Sequence, residues 1–269
     1  MPSGTTPAAR RFADYTAPPP ERRGLAVATT LRPFILVTYT ADPARLAARL
    51  PPRLRPLTVA PDPDVGPRAL VSVVAFVNTR LRAAALPWPA FSFPQINFRS
   101  YVVDAATGHH GVWFLHTMLG SAVYLVPRIF WHMPWTRARI GLEHQREGGT
   151  VRWHVTAAGP AGPVRLELAQ DGQHRRESPA LPGFPDLETG LVSLTHAFRG
   201  FYRRRDGRLA VNCVWHGPIP VRPARLLQAE LPWLARQGLV SPAVQSRPYS
   251  VLVADAIDFT SYLPPTVLS

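Results

Sequence analysis

Short apolar runs recur along the chain, and turns rich in proline and glycine separate them. Most of these runs are only 7 to 14 residues long and are rich in valine, isoleucine and aromatic residues, a pattern typical of β-strands. The predicted strands are PFILVTYT, RALVSVVAFVNTRL, QINFRSYVVD, GVWFLHTML, TRARIGLEHQ, TVRWHVTA, VRLELAQ, LAVNCVWHG and YSVLVADAIDF. The glycine-containing segments EGG and AGPAG predict hairpin turns between three consecutive strands.

Few segments have the pattern of a helix. In DPARLAARL, Asp42 is a candidate N-cap, a proline follows at the first helical position, and Leu46 and Leu50 lie about one turn apart. The other predicted helices are GSAVYLV, which Pro127 interrupts or kinks, LVSLTHAFRGFYRR and ARLLQAELPWLARQG.

The N-terminal 30 residues are rich in proline, alanine, threonine and arginine and have no sustained periodicity. Residues 1–30 are therefore predicted to be a disordered or loosely draped arm. No internal repeat and no long linker divides the remainder, so residues 31–269 are predicted to be one domain. Its expected class is α+β, with mainly antiparallel sheets and few helices.

One predicted strand, QINFRSYVVD, has a polar face. Side chains alternate across a strand, so the face that carries Ile96 lies opposite a face formed by Gln95, Asn97, Arg99 and Tyr101. This polar face either meets water or lines an internal cavity, and the pattern leaves both readings open.

Charged and titratable side chains also occur inside apolar segments. Arg128 and His132 lie in YLVPRIFWHMPWTRAR, and His116 lies in the strand GVWFLHTML. A buried cation is costly unless it is paired, so these side chains either reach water or line a cavity that meets a ligand. Alternatively, Arg128 caps carbonyl groups at a helix end, His132 points outward, and His116 is a hydrogen-bonded core histidine.

Composition excludes several kinds of chemistry. The 269 residues have a formal net charge of +13, and all 30 basic residues other than histidine are arginines, because the chain has no lysine. Without a side-chain amine, Schiff-base catalysis by lysine is excluded. The arginines are scattered and match no nucleic-acid-binding motif, so a nucleic-acid partner is not expected.

The chain shows no sign of export, membrane insertion or a bound cofactor. A single cysteine, Cys213, excludes an intrachain disulfide and a cysteine-based metal site and suits a reducing cytoplasm. The most apolar segment, residues 111–127, is short for a span and is interrupted by histidine, glycine and proline. GxSxG, HExxH and glycine-rich phosphate-loop motifs are absent, so no metal and no cofactor is predicted.

The ordered set of motifs resembles the YqjF-like family of bacterial proteins, within the acetoacetate decarboxylase-like superfamily. The similar segments are LPPRLRPLTV, SFPQINFRSYVVD, GVWFLHTMLGS, RIFWHMPWTRARI, SLTHAFRGFY and VWHGPIPVRPARL. They run from about residue 34 to about residue 257, so the resemblance covers nearly the whole chain except the N-terminal arm. It implies an acetoacetate decarboxylase-like fold, with sheets wrapped around a central, mostly apolar cavity.

The resemblance also marks positions where this chain departs from the family pattern. In the decarboxylase proper, the segment similar to RIFWHMPWTRA carries the imine-forming lysine, and the matching positions here are Trp135 and Thr136. The YqjF-like pattern has a glutamate where this chain has Gln95 and an aspartate near Met118. The resemblance therefore implies a member that is not an imine-forming decarboxylase.

Together these observations predict an enzyme that acts non-covalently on a carbonyl- or carboxylate-bearing small molecule. Lyase, isomerase or cyclase chemistry, with a role in secondary metabolism, is the leading hypothesis, and a binding protein or shape-only template is the alternative. A homo-oligomer is left open. The predicted catalytic residues are His132, Arg128 and His116, and the predicted substrate-binding residues are Gln95, Asn97, Arg99, Tyr101, Trp113, Met118, Trp131 and Trp135.

Overall fold

A computed structural model describes residues 11–15, 25–86, 88–172 and 178–268. Part of the predicted N-terminal arm is ordered. Phe12–Tyr15 form a short 3₁₀ turn, and the first strand begins at Leu25, where it pairs with the last strand of the chain. The arm predicted to reach residue 30 is therefore too long, because this pairing extends the strand beyond the apolar run seen in the sequence. The remainder of the arm lies outside the described residues.

Strands dominate the structure. They are β1 (Leu25–Ala41), β2 (Leu54–Pro56), β3 (Thr58–Val59), β4 (Arg68–Ala83), β5 (Phe91–Asp104), β6 (His110–Leu119), β7 (Thr136–Arg137), β8 (Arg139–Glu147), β9 (Thr150–Ala158), β10 (Val164–Gln170), β11 (Arg199–Arg203), β12 (Leu209–Trp215), β13 (Arg222–Pro223), β14 (Arg225–Glu230), β15 (Ser250–Ala254) and β16 (Ile257–Leu268). The α-helices are α1 (Pro43–Ala47), α2 (Leu125–Phe130), α3 (Leu187–Thr195) and α4 (Pro232–Arg236). Further 3₁₀ turns lie at Ala122–Tyr124 and Pro242–Val244.

Seven long strands close into a barrel. Their order is β1, β16, β12, β11, β6, β5 and β4, and β4 pairs with β1 to complete the circle. All of these neighbours are antiparallel except β6 and β11, which are parallel. A second, antiparallel sheet has the order β14, β10, β9, β8. The predicted α+β fold of mainly antiparallel sheets around a cavity, with few helices, is confirmed.

The largest apolar core lies between the barrel and the second sheet. In β9, Val151, Trp153, Val155 and Ala157 are buried at alternate positions, while the residues between them are exposed or half-buried. These side chains pack against the outer face of β1, β4 and β5, in a cluster that includes Ile96 and Phe98. The inner face of the same barrel strands is consequently free to line a cavity.

Two predicted helices are wrong in part. The segment LVSLTHAFRGFYRR is helical only as far as Thr195, and β11 begins at Arg199. Gly200 fits here because a Cβ at that position would lie 2.5 Å from the ring of Phe114. In ARLLQAELPWLARQG, residues 225–230 form the edge strand β14, which pairs with β10, and the helix starts only at Pro232. In both cases tertiary strand pairing overrides the local helical pattern.

No helix among the described residues is long and apolar enough to cross a membrane.

Candidate functional site

The barrel encloses a cavity of about 310 Å³, at the small end of the range for ligand pockets. Most of its walls are apolar. Leu25, Phe91 and Val126 line it and are also between 43% and 48% exposed, so they mark its mouth. At the other end the lining residues His216, Ile219 and others around them are buried. The cavity thus has an apolar, open end and a closed end.

Strand β5 runs from the mouth to the closed end, and the character of its lining residues changes along the way. The side chains at alternate positions are Phe91, Phe93, Gln95, Asn97 and Arg99, and all five line the cavity. From the mouth inward, two aromatic rings are followed by two amides and then a guanidinium, so the lining changes from apolar to cationic. At about 3.3 Å per residue, the strand covers roughly 26 Å between the first and last of them.

The amides in the middle of this gradient satisfy one another. The Nδ2 of Asn78, on β4, donates to the Oε1 of Gln95 over 3.1 Å, and the Nε2 of Gln95 donates to the Oδ1 of Asn97 over 2.9 Å. All three residues are buried. These two hydrogen bonds link the three amide groups to one another in an otherwise apolar surrounding.

Arg99 supplies the only formal charge among the described residues that line the cavity. Its Nη2 donates to the backbone oxygen of Leu194 over 2.9 Å, and its guanidinium carbon lies 5.6 Å from the centre of the Tyr101 ring. Its Nε is buried and has no hydrogen-bond partner in the described part of the chain. No described aspartate or glutamate lines the cavity to neutralise this cation.

Two histidines lie beside Arg99. The rings of His196 and His216 are edge to face, with centres 4.7 Å apart. The Nδ1 of His216 donates to the backbone oxygen of Gly217 over 2.8 Å, and the Nδ1 of His196 lies 3.0 Å from the Oγ1 of Thr195. Thr195 and His216 line the cavity, and both histidines are buried.

Burial keeps both histidines neutral at pH 7. It lowers the pKa of His196 to about 3, with a smaller contribution from the neighbouring His216. Burial also lowers the pKa of His216; hydrogen bonds to the backbone of Gly217 and Thr195 oppose this effect, and the positive charge of Arg99 adds to it. Each ring is therefore a weak base rather than an acid near neutral pH.

A second polar group lies on β11 and β12. Tyr202 is 3% exposed, lines the cavity, and has a hydroxyl without a hydrogen-bond partner among the described residues. Burial raises its pKa, so the phenol stays protonated and can donate. The Nδ2 of Asn212 donates to the Oγ of Ser261 over 2.9 Å, whereas its Oδ1 is buried with no partner in the same described part. Both Asn212 and Ser261 line the cavity.

Five of the residues predicted to bind substrate line this cavity. They are Gln95, Asn97, Arg99, Trp131 and Trp135. The period-two alternation of the polar strand face correctly placed three of them on one wall.

The predicted pair Arg128 and His132 does not form a site in this cavity. His132 is exposed and has a left-handed backbone, with φ of 54°, and its backbone oxygen accepts from the amide of Arg205. Arg128 is half-buried and its Nη1 donates to the backbone oxygen of Trp135 over 3.0 Å. The prediction that the two share an enclosed cavity is wrong, because the chain turns sharply after α2 and one side chain reaches water while the other caps a carbonyl group.

His116 also lies outside the cavity. Its Nε2 is 3.0 Å from the Oγ1 of Thr136, its ring packs 5.6 Å from that of Trp233, and burial lowers its pKa. A β-bulge in β6 explains the error: Phe98 pairs with His116 but Arg99 pairs with Phe114, so one extra residue lies between them. A bulge reverses the alternation of side chains, and His116 therefore faces the outer core while Phe114 faces the cavity.

The remaining predicted residues serve in packing. Met118 follows the same bulge and is fully buried in the core between the barrel and the second sheet. Trp113 packs in a separate small cluster with Leu54 and Phe201. Tyr101 is fully buried beyond Arg99, and its hydroxyl hydrogen-bonds the Oγ of Ser72 over 2.8 Å.

Sequence reasoning missed His196, His216, Tyr202 and Asn212. A signal for the two histidines was present, since each is the single histidine of a segment that carries the family resemblance, SLTHAFRGFY and VWHGPIPVRPARL. Tyr202 lay in a segment predicted to be helical, so its inward position on a strand could not be anticipated.

Other features of the described residues offer weaker sites. No group of three histidine, cysteine, aspartate or glutamate side chains among them could hold a metal ion. A groove of about 510 Å³ lies on the second sheet, but it is open, and its charged residues include the surface ion pair of Arg165 and Glu230 at 3.8 Å. The barrel cavity is therefore the candidate site.

The fold is similar to that of several solved structures. Acetoacetate decarboxylase from Legionella pneumophila shares 14% identity over 96% of this chain and 94% of its own, with a TM-score of 0.55. The enduracididine biosynthesis enzyme MppR, with HEPES buffer bound, shares 15% identity over 94% and 89%, with a TM-score of 0.56. An acetoacetate decarboxylase-like enzyme from Sphingomonas wittichii shares 15% over 93% and 94%, with a TM-score of 0.53. These likenesses show the fold.

The sequence has no significant match among curated proteins. Residues 28–258 do match the model of the family DUF2071, described as an uncharacterized conserved protein (COG2071). This match covers most of the chain and agrees with the resemblance to the YqjF-like family noted from the sequence motifs. The protein therefore belongs to the DUF2071 family and has an acetoacetate decarboxylase-like fold.

Proposed function

We propose that the protein is an enzyme that acts on a small carbonyl- or carboxylate-bearing molecule in the barrel cavity, without forming an imine. One observation carries this proposal. Arg99 is the only charged side chain among the described lining residues, none of which is acidic, and its Nε has no partner in the described part of the chain. A partly desolvated cation with unused donors in an apolar cavity favours an anionic or strongly polarised oxygen on the ligand.

The neighbouring groups suit acid–base chemistry on such a ligand. Arg99 would stabilise a carboxylate or the negative charge that develops on an enolate oxygen. His216 lines the cavity next to Arg99 and, being neutral at pH 7, would accept a proton from the ligand. Proton removal next to a stabilised oxyanion is common to lyase, isomerase and cyclase reactions, which are the reaction types that we propose.

The structural neighbours support biosynthetic carbonyl chemistry. MppR is an enduracididine biosynthesis enzyme, and one of its structures holds the condensation product of pyruvate and imidazole 4-carboxaldehyde. By analogy we propose a role in secondary metabolism, in the cytoplasm, with a small molecule as the partner. The absence of lysine from the sequence limits this analogy to non-covalent steps.

A second candidate function is a binding protein that holds the same ligand without acid–base work. One observation favours it: burial lowers the pKa of both histidines, and no carboxyl group among the described lining residues is present to assist them. Weak bases accept protons poorly, so the cavity could act by shape and charge alone.

The pH dependence of turnover on a panel of 2- and 3-oxo acids, followed by NMR, tests the proposal. If His216 is the base, kcat/KM is constant above about pH 6.5 and falls in acid, because the free-enzyme pKa lies below the usual value of about 6.5. His216→Gln should lower turnover by roughly 10²–10⁴-fold, whereas His144→Gln, at an exposed position, should not. Binding of the acids without conversion would establish the second candidate instead, and conversion at a rate that does not change with pH would show that no histidine acts as the base.

A further inference from the structure

Besides Arg99, the cavity has a second set of hydrogen-bonding groups that lack a partner in the described part of the chain. We propose that the ligand is an amphipathic hydroxy acid that binds head first. Its carboxylate contacts Arg99 at the closed end, its hydroxyl contacts Tyr202 and Asn212 on the wall, and its apolar end points toward the mouth. This inference rests on the proposed function, since it specifies the class of molecule on which that function would act.

The charge at the closed end favours a carboxylate. Arg99 already gives one donor to the oxygen of Leu194, which holds the guanidinium, and its buried Nε has no partner among the described residues. The nearby histidines are neutral, so the cation is not shared with a second charge. A carboxylate, which accepts two parallel hydrogen bonds, fits a planar guanidinium better than a neutral oxygen does.

The wall supplies a donor and an acceptor next to each other. Tyr202 pairs with Ala210 across β11 and β12, and Gly200 pairs with Asn212, so Tyr202 and Asn212 are diagonal neighbours on the inner face. The phenol of Tyr202 donates, and the Oδ1 of Asn212 accepts. A hydroxyl satisfies both at once, whereas a carbonyl oxygen satisfies only the first. Buried groups of this kind are costly when left unpaired, and neither has a partner among the described residues, so they point to a ligand hydroxyl.

The register of the barrel separates this hydroxyl subsite from Arg99. Phe201 pairs with Trp113 across β11 and β6, which places Tyr202 beside Phe114, and Phe114 pairs with Arg99 across β6 and β5. Tyr202 and Arg99 are thus two strands apart, or about 10 Å between Cα atoms at roughly 4.8 Å per strand. The two ligand oxygens therefore belong to different functional groups rather than to one carboxylate.

Exposed apolar side chains occur at the mouth and in the chain segments that flank its lining residues, and we name them the apolar collar. It consists of eight of the twelve exposed large apolar residues in the described part of the chain: Leu25, Leu86, Trp88, Phe91, Leu125, Val126, Ile129 and Phe130. Three of these also line the cavity, so the collar continues its apolar wall to the surface. An alkyl chain leaving the cavity at this point would stay in contact with apolar surface.

The volume limits the length of the ligand. At about 30 Å³ for each water-sized group, a cavity of about 310 Å³ holds roughly ten such groups. A ligand of about ten non-hydrogen atoms therefore matches this volume, so decanoate and its hydroxy derivatives, which are slightly larger, are suitable probes.

The test is a binding series on the wild-type protein, measured by calorimetry, with decanoate, 1-decanol, decanoates hydroxylated at carbon 3, 6 or 9, and the matching oxo acids. Decanoate should bind at least about tenfold more tightly than decanol, since charged hydrogen bonds contribute more than neutral ones. At least one hydroxydecanoate should bind roughly 3- to 10-fold more tightly than both decanoate and the matching oxo acid.

Variants assign these differences to residues. Arg99→Gln should make decanoate and decanol bind equally, and Tyr202→Phe should remove the advantage of the hydroxy acid while leaving decanoate unchanged. Tyr39→Phe is the matched control: Tyr39 is buried outside the cavity and its hydroxyl donates to the oxygen of Gln245, so this variant should lose stability but keep every affinity ratio. If Arg99→Gln does not fold, the ratio of the wild-type affinities for decanoate and decanol still tests whether the cavity binds a carboxylate.

Decanol that binds as tightly as decanoate, or hydroxy acids without advantage at any position, would overturn the inference. These outcomes are independent of turnover. If the protein converts oxo acids but binds no hydroxy acid more tightly than decanoate, the proposed function stands and this inference is wrong. If it binds a hydroxy acid tightly but converts no oxo acid, this inference stands and the proposed function is wrong.

Discussion

The two buried histidines, His196 and His216, lie in an environment that is unusual for histidine. His196 is 2% exposed, and its ring meets those of Phe12, Phe198 and His216. No described carboxylate is among these ring contacts, and the positive charge of Arg99 acts on the neighbouring His216. Protonation of either ring would place a second cation next to Arg99 in an apolar interior, so the folded state excludes it.

This environment predicts that stability depends on pH. The pKa of His196 is about 3 in the folded state and about 6.5 in the unfolded chain, so the unfolded chain binds more protons between these values. The free energy of unfolding should be constant above about pH 6.5 with respect to this group, and should fall by up to about 1.4 kcal/mol for each pH unit below it. Urea unfolding at pH 7, 6 and 5 measures this slope.

Substitution assigns the slope to the residue. His196→Gln should reduce the dependence of the unfolding free energy on pH. His154→Gln is the control: His154 is half-buried on β9 of the second sheet, and its substitution should leave this dependence unchanged. Equal slopes in the wild type and in His196→Gln would show that another group dominates acid unfolding.

Among the elements, α3 has the closest connection to the site. Its N-cap is Asp186, whose Oδ1 accepts from the amide of Thr189 over 2.8 Å, and its last turn presents the oxygen of Leu194 to Arg99. The N-terminal segment holds the first turn of the same helix, since Arg11 pairs with Asp186 at 3.0 Å and with Glu188 at 3.1 Å. The position of Arg99 therefore depends on a helix that is fixed at its opposite end.

This connection predicts that loss of the cap affects the site. Asp186→Ala should lower the free energy of unfolding by about 0.5–2 kcal/mol and should also weaken carboxylate binding, because the end of α3 that holds Arg99 becomes less ordered. Asp42→Ala is the matched control: Asp42 caps α1, accepting from the amide of Ala44 over 2.8 Å, and α1 packs against the outer core. It should cost similar stability without changing affinity. Calorimetry and thermal unfolding of both variants measure the difference; equal effects on affinity would contradict the connection.

At the scale of the whole molecule, the protein combines an acetoacetate decarboxylase-like barrel with a chain that has no lysine. The fold brings a lined cavity, but the chain provides no side-chain amine to attack a carbonyl group anywhere in it. The function that we propose therefore relies on the guanidinium, the imidazoles and the phenol that the barrel brings together.

The corresponding prediction concerns covalent trapping. Treatment with borohydride and a 3-oxo acid should leave the mass of the folded protein unchanged except for modification of the N-terminal amine. Intact-protein mass spectrometry, followed by peptide mapping, measures this. A stable adduct at any internal residue would contradict a non-covalent mechanism, and an imine-forming decarboxylase treated in parallel confirms that the trapping conditions work.

The linear pattern was sufficient for the local features of the fold. Period-two alternation placed Gln95, Asn97 and Arg99 on one face of a strand, and the Asp-Pro pair at residues 42 and 43 marked the start of a helix, because both signals depend only on neighbours in the chain. The absence of lysine excluded imine formation by a side chain without any structure. The ordered motifs were sufficient to predict the family and the antiparallel sheets.

Tertiary structure alone decided which of the two faces of each segment meets the cavity. A one-residue bulge in β6 turned His116 outward. A segment with a helical pattern became strand β11 because it pairs with β6 and β12, and this pairing brought Tyr202 inward. His196 and His216 are twenty residues apart in the sequence and meet only because α3 and β12 end at the same closed end of the barrel. Bulges, strand partners and barrel closure depend on contacts between distant segments, and a periodic pattern contains no information about them.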